Sequence, residues 1–289
     1  MSSLKKVALI TGGASGMGLE VAKTLSSRGN WDIHLADLNT SAGESAASQL
    51  SATFHKANVT SYYSLAATFK AVFQASGRLD FVFANAGITE KTNFYATHDT
   101  GVDPPPEYDL MCVQICLDSV IMTSYLALHY FRLSLKDDST DCNLIMTASC
   151  GGLYPSYYSA TYSAAKHGVV GFMRSIAKHF YTYDNIRVNA ICPGVVKTNL
   201  LTAKEWENFP EEFFTPIEKI AETVIMLVDG KDGSPGRRID GEKSEKKGIL
   251  WGESVEISGT NHYYREAPVA CDDAMQAVMK ATDIQELKH

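Results

Sequence analysis

The sequence predicts an α/β fold, a doubly wound and mostly parallel sheet of seven strands flanked by helices. Three observations predict it. Short apolar runs alternate with longer helical stretches along the whole chain. The first apolar run leads directly into a glycine-rich turn and an amphipathic helix. The chain has 289 residues, 45% of them apolar, enough for one large core, so a single domain over 1–289 is expected.

The expected strands are 7–11, 32–36, 53–57, 81–84, 143–147, 187–191 and 254–257. Their apolar character is nearly continuous, as in strands buried on both faces, and such alternation with helices implies right-handed crossovers. After the first strand, Met17, Val21 and Leu25 repeat at i, i+4 and mark one helix face. Segment 97–106 holds Gly101 and three consecutive prolines, which exclude a helix interior and predict a surface loop. A long apolar helix is expected over about 108–135. Segment 200–216 mixes Trp206, Phe209, Phe213 and Phe214 with acidic residues and reads as a short helical flap over a substrate. Segment 229–248 is rich in Gly, Lys, Arg and Glu, and predicts a solvated polar insertion. No internal repeat is present.

Charge and cysteines narrow the function classes. A formal net charge of -7 without a long basic run argues against nucleic acid or an anionic membrane as partner, and leaves a small molecule. The six cysteines show no metal-type pairing and read as reduced thiols. Lys5-Lys6 precedes Val7-Ala8-Leu9-Ile10, but glycines interrupt the run before it could act as a signal, so a cytoplasmic protein is expected.

Thr11-Gly12-Gly13-Ala14-Ser15-Gly16-Met17-Gly18 follows the first strand and opens the first helix. Glycines there let a pyrophosphate approach the backbone, and the helix N-terminus offers free N–H groups and a positive dipole end. The turn therefore predicts a Rossmann-type dinucleotide site made by Gly12, Ser15, Gly16, Met17 and Gly18. Asp37 ends the second strand, where a carboxylate accepts from both adenosine ribose hydroxyls and repels a 2′-phosphate. Leu38 follows, and no Arg or Lys lies in the turn, so NAD is expected over NADP. The other reading of Asp37 is a loop cap.

The spacing Thr-Gly-x-x-x-Gly-x-Gly resembles the short-chain dehydrogenase/reductase family. Asn85-Ala86-Gly87 after the fourth strand, Ser149 after the fifth, Tyr162-Ser-Ala-Ala-Lys166 thirteen residues on, and Pro193-Gly194-Val195-Val196-Lys197-Thr198 after the sixth follow in the family's order. The resemblance runs from about Lys5 to Leu200 and leans toward the hydroxyprostaglandin dehydrogenase branch. It implies Ser149, Tyr162 and Lys166 as catalytic residues. It further implies that Asn58, Val59, Asn85, Ala86, Gly87, Lys166, Pro193, Gly194, Val196 and Thr198 surround the cofactor, with Tyr162 beside the nicotinamide. Asn58 stands where the family has Asp, and Thr198 could instead cap the next helix.

Chemistry supports the same pair. Tyr162 and Lys166 are four apart, so both project from one helix face. A phenol titrates near 10, and bringing it to about 7 takes roughly 4 kcal/mol of differential stabilisation, which an ammonium and an oxidised nicotinamide ring can supply. Tyr157 and Tyr158 have no lysine four residues on.

One family position departs. Aligning Ile115-Cys116-Leu117 with the family's Ile-Asn-Leu puts a thiol where an asparagine normally holds a relay water. This leaves room for a cyclase or isomerase, or for a cofactor-binding regulator with impaired catalysis. At the substrate end, Leu153, Tyr154, Tyr157, Trp206, Phe209 and Phe213 predict a pocket for a bulky, mainly apolar secondary alcohol or ketone. Small residues Ala164, Gly168 and Ser175 on the helix after Tyr162 suit either packing within the chain or a homodimer or homotetramer, which the resemblance implies.

Overall fold

The computed structural model describes residues 5–99, 101, 103–134, 140–207, 209–231, 236–237, 243–244 and 249–284. The expected strands are all present as β1 (Lys6–Thr11), β2 (Trp31–Asp37), β3 (Thr53–Lys56), β4 (Phe81–Ala84), β5 (Cys142–Thr147), β6 (Ile186–Pro193) and β9 (Ser254–Ser258). Every pairing among these seven is parallel.

Alternation of side chains builds two cores. Val7, Leu9, Val82, Ala84, Leu144 and Met146 pack on one face of the sheet, with α3 (Tyr62–Ser76), α5 (Ser119–Ser134) and α6 (Ala160–Asp184). Ala8, Ile10, Phe81, Phe83 and Ile145 pack on the other, with α1 (Gly16–Ser27), α2 (Thr40–Leu50) and α8 (Ile217–Asp229). Burial on both faces is why these strands read as unbroken apolar runs.

The sheet is wider than the sequence predicts. Its order is β3-β2-β1-β4-β5-β6-β9, continued by β10 (Asn261–Tyr264), β7 (Gly236–Arg237) and β8 (Lys243–Ser244). β10 folds back antiparallel on β9 across Gly259-Thr260, where Gly259 takes φ +55°. A glycine at the first turn position is what a two-residue hairpin requires. Within the expected solvated insertion, β7 and β8 pair with each other, and Tyr263 of β10 pairs with Arg237, so this stretch extends the sheet edge. The remaining residues of 232–248 lie outside the described ones.

The long helix comprises α4 (Met111–Val113), a π-helical turn over Gln114–Asp118 and α5. Met111–Ser134 is long and apolar enough to cross a membrane by length and composition, yet Val120, Ala127 and Phe131 are buried against the sheet. Residues of 97–106 that are described form neither helix nor strand. The flap holds α7 (Ala203–Trp206), whose Thr202 and Glu205 make a capping box, and a 3-10 turn at Glu211–Phe213. The last helix among the described residues is the exposed α9 (Asp273–Ala281).

Candidate active site

Strand order reverses about β1, with β2 and β3 on one side and β4 to β6 on the other, and such a reversal opens a crevice at the carboxyl ends of the strands. A cavity of about 1250 Å³ occupies it, reaching from Gly12 and Asp37 past Ser149 and Tyr162 to Trp206 and Phe209. Of the residues expected around a dinucleotide, all line this cavity except Gly18. Gly18 serves packing instead: a Cβ there would stand 2.4 Å from the Gly12 carbonyl oxygen.

The glycine turn fits a dinucleotide. Gly12 has φ +66°, and a Cβ on it would lie 2.9 Å from Ala86 Cα. Gly16 has φ +52° and faces Thr198 across the cleft. Ser15, at the N-cap of α1, makes no side-chain hydrogen bond to the helix, so the first-turn N–H groups point at the crevice without a local acceptor. A pyrophosphate supplies what they lack. Asp37 braces the turn, since its Oδ2 accepts from Ala14 N at 3.1 Å and its Oδ1 from Asn39 N at 3.0 Å.

Asn85 ties three strands at the cleft floor. Its Nδ2 donates to Thr11 O at 3.2 Å and Gly12 O at 3.4 Å, while its Oδ1 accepts from Thr147 Oγ1 at 3.0 Å. Asn58 turns inward on its own loop, accepting from Thr60 N and Oγ1. Thr198 does not cap the next helix, because Thr202 does; Thr198 Oγ1 accepts from Leu200 N at 3.2 Å.

The three expected catalytic side chains meet. Ser149, two residues past the end of β5, caps a short 3-10 turn by accepting from Gly151 N at 3.1 Å. Gly152 lets that turn sit on α6, since a Cβ would be 2.6 Å from Lys166 O. Ser149 Oγ and the Tyr162 ring flank Gly151 on the cavity wall, and Lys166 Nζ lies 5.6 Å from the Tyr162 ring centre. Lys166 is 2% exposed, and its ammonium donates to Thr147 O at 2.7 Å. Burial pushes the Tyr162 phenol above its ordinary value, against the lowering effects of Lys166 and Ser149.

Cys116 sits in the π-helical turn, fully buried. Its Sγ donates to Ile88 O at 3.2 Å and accepts from Ile88 N at 3.4 Å. Cys112, one turn earlier, donates to the same Ile88 O at 3.7 Å. The Cys112 thiol and the Lys166 charge lower the Cys116 pKa against its burial, whereas Cys116 and burial raise that of Cys112 against the Lys166 charge. The thiol thus bridges the helix to the segment after Gly87, a structural link in place of an amide.

The substrate end needs correction. Tyr154, Trp206 and Phe209 line the cavity, but Leu153, Tyr157 and Phe213 do not. Leu153 packs on the core, whereas Tyr157 and Phe213 are 77% and 68% exposed. Tyr158 stands at the rim instead, the next residue having the phase that reaches the mouth. Trp206 Nε1 donates to Thr198 O at 3.2 Å, and its ring meets Phe209 and Phe214, so the flap aromatics also pack on one another. Gly168 is spent within the chain: a Cβ there would stand 2.8 Å from Leu117.

Sequence reasoning missed Thr11, Thr147 and Glu90. Thr11 Oγ1 accepts from Asn85 N and Ala86 N. Thr147 supplies both the Lys166 acceptor and the Asn85 partner. Their positions at the ends of β1 and β5 were a signal available in the sequence. Glu90 accepts from the backbone N–H groups of Thr161 and Tyr162 in the first turn of α6.

Comparison with known proteins agrees with this geometry. A family profile described as short chain dehydrogenase matches residues 6–208. The chain is 50% identical over 277 residues to the short-chain dehydrogenase/reductase prx7 of Penicillium rubens, covering 93% of this chain and 97% of that one. It is 34% identical over 210 residues to human 15-hydroxyprostaglandin dehydrogenase [NAD(+)], covering 70% and 72%. Among solved structures, levodione reductase matches with a TM-score of 0.66 at 27% identity over 77% of this chain and 90% of that one. A 3-ketoacyl-(acyl-carrier-protein) reductase from Brucella melitensis complexed with NADH shares the fold, with a TM-score of 0.70 at 24% identity over 89% and 98%.

Proposed function

Because the chain belongs to the short-chain dehydrogenase family and is an oxidoreductase acting on CH–OH groups, we propose that it interconverts a bulky, mainly apolar secondary alcohol and its ketone with NAD. The observation that carries this reading is the meeting of Ser149, Tyr162 and Lys166 midway along one cavity, between the glycine turn and the flap aromatics. When bound, the nicotinamide cofactor supplies the hydride acceptor or donor and, oxidised, a positive charge beside the phenol. Ser149 holds the substrate oxygen. Tyr162 takes the hydroxyl proton on oxidation and returns it on reduction. Lys166, fixed by Thr147, lowers the cost of the phenolate.

Asp37 beside exposed Leu38 supports NAD over NADP, and the relative named for NAD(+) points the same way. Tyr154, Trp206 and Phe209 support the apolar substrate. Segment 200–216 closes over it and excludes water. Exposed Ile121, Tyr125 and Leu133 on α5, beside exposed Ala164 and Ser175 on α6, support a homodimer or homotetramer through that face. Six free thiols support a reducing compartment, the cytoplasm.

Tyr162→Phe is the test: turnover of hydrophobic secondary alcohols is lost, while NADH affinity by fluorescence stays within about two-fold. Retained turnover would remove Tyr162 as the base. A second reading, a cyclase, isomerase or catalytically impaired regulator, draws on the Cys116 thiol. NADH binding without turnover across an alcohol and ketone panel, followed by a gain of rate in Cys116→Asn, would favour it.

A further inference from the structure

The helix that carries Tyr162 and Lys166 begins without a cap of its own. Ser159, just before the first turn of α6, makes no side-chain hydrogen bond to it, so the free amides there need an acceptor from elsewhere. Glu90 provides one. Its Oε2 accepts from the backbone N–H of Thr161 at 2.8 Å and of Tyr162 at 3.0 Å, and its Oε1 accepts from the Tyr108 hydroxyl at 2.7 Å.

This carboxylate is not on a neutral piece of chain. It lies three residues past Gly87, on the segment whose Gly87, Ile88, Thr89 and Lys91 line the cleft. One side chain therefore joins the cleft wall to the very peptide that bears the phenol. Burial works to raise the Glu90 pKa, and hydrogen bonds from Thr161, Tyr162 and Tyr108 overcome it and hold the carboxyl below the usual range. A carboxylate at a helix N-terminus is also favoured by the helix dipole.

We infer that Glu90 is a positioning residue for the alcohol and ketone reaction: by capping α6 at Tyr162 it sets where the phenol stands relative to the wall at 87–91. The inference rests on the dehydrogenase reading. A cap that served folding alone would affect kcat and cofactor affinity in parallel, or neither. A positioning cap affects kcat selectively, because small displacements of a proton-transfer group matter most in the transition state.

The experiment compares wild type, Glu90→Ala and Glu90→Gln, with 2-decanol and NAD as the probe pair. Glu90→Ala is expected to lower kcat by about ten-fold or more, with KM for 2-decanol and NADH affinity within about two-fold. Glu90→Gln retains one acceptor oxygen and is expected to fall between the two. A kcat for Glu90→Ala within about two-fold of wild type overturns the inference, as does a kcat that declines in step with NADH affinity. Amide hydrogen exchange on the NADH-bound proteins gives a readout independent of substrate. Thr161 and Tyr162 are expected to exchange about ten-fold faster in Glu90→Ala, with Val169 and Met173 unchanged; unchanged exchange at the first two also overturns it. A wild type that binds NADH and turns over no alcohol sinks the dehydrogenase reading, and the exchange result then decides the role of Glu90 alone.

Discussion

Asp37 shows how one side chain can satisfy two readings. As a loop brace it accepts from Ala14 N and Asn39 N, and as a cavity-lining carboxylate beside Leu38 it leaves its other lone pairs for a ligand hydroxyl. The reading as a selector against a 2′-phosphate makes a definite prediction. Asp37→Ser combined with Leu38→Arg removes a repulsive charge and adds an attractive one, so the ratio of NADPH to NADH affinity should rise by about ten-fold or more, since each tenfold is only about 1.4 kcal/mol. Fluorescence titration with both nucleotides measures it, and an unchanged ratio would reduce Asp37 to the loop brace. The same double variant should lose about 1 kcal/mol of stability, because the Ala14 amide is left with a poorer acceptor.

At the level of elements, buried polar side chains stand in for missing local signals. Arg187 is the second residue of β6 and only 2% exposed, a place a charge occupies only when fully engaged. Its guanidinium binds both Asp141 oxygens at 2.8 Å and donates to Leu227 O at 2.5 Å and Val228 O at 2.6 Å, closing the C-terminal end of α8. Arg187→Met should therefore cost about 3 kcal/mol, by orphaning helix carbonyls, and should lower the urea midpoint without changing m. A loss below about 1 kcal/mol would show that water replaces the guanidinium. The pairing of β2 with β3 carries a second device. His34 Nδ1 and His55 Nε2 lie 2.9 Å apart with stacked rings, and Ser76 bonds both His34 and Asp32. Burial lowers the His34 pKa, and burial with repulsion from His34 lowers His55 to about 4. Between that value and the unfolded value near 6.5, the unfolded chain binds more protons, so stability rises with pH across this window and is lost as pH falls through it. Urea unfolding between about pH 4 and 7 should show a shallower slope for His55→Phe than for wild type. Equal slopes would mean that the pair opens to solvent before it titrates.

For the molecule as a whole, legibility followed the range of the interactions. Strands β1, β2, β4 to β6 and β9 were readable because burial on two faces leaves largely apolar runs, whereas the edge strand β3, with Thr53 and Lys56 exposed, was readable only from its place in the alternation; the glycine turn was readable because close approach leaves no alternative residue. β10 was not read although Gly259-Thr260 carries a hairpin signal, and the π-helical turn at Cys116 has no signature that periodicity detects. Glu90 could not be found locally, since its partner amide at Thr161 is 71 residues away. The aromatic content of the substrate end was readable, but the phase that brings Tyr158 to the rim and leaves Tyr157 outside depends on how the turn after Ser149 packs on α6. The completed cleft also makes a thermodynamic prediction. The glycine turn, Ala86 and Thr198 come from three separate crossovers and meet only in the folded sheet, so a dinucleotide bound there has no counterpart site in the unfolded chain. At a concentration of about 100 times its Kd, NADH should then add about 2.7 kcal/mol of stability, or about 5 °C in Tm for a chain of this size. AMP, which meets only the half around Asp37, binds more weakly and should raise Tm less at equal concentration. NADPH at that concentration should also stabilise less than NADH, because its 2′-phosphate meets the Asp37 carboxylate; a shift from NADPH as large as that from NADH would mean that the carboxylate turns away and that cofactor choice lies elsewhere in the cleft.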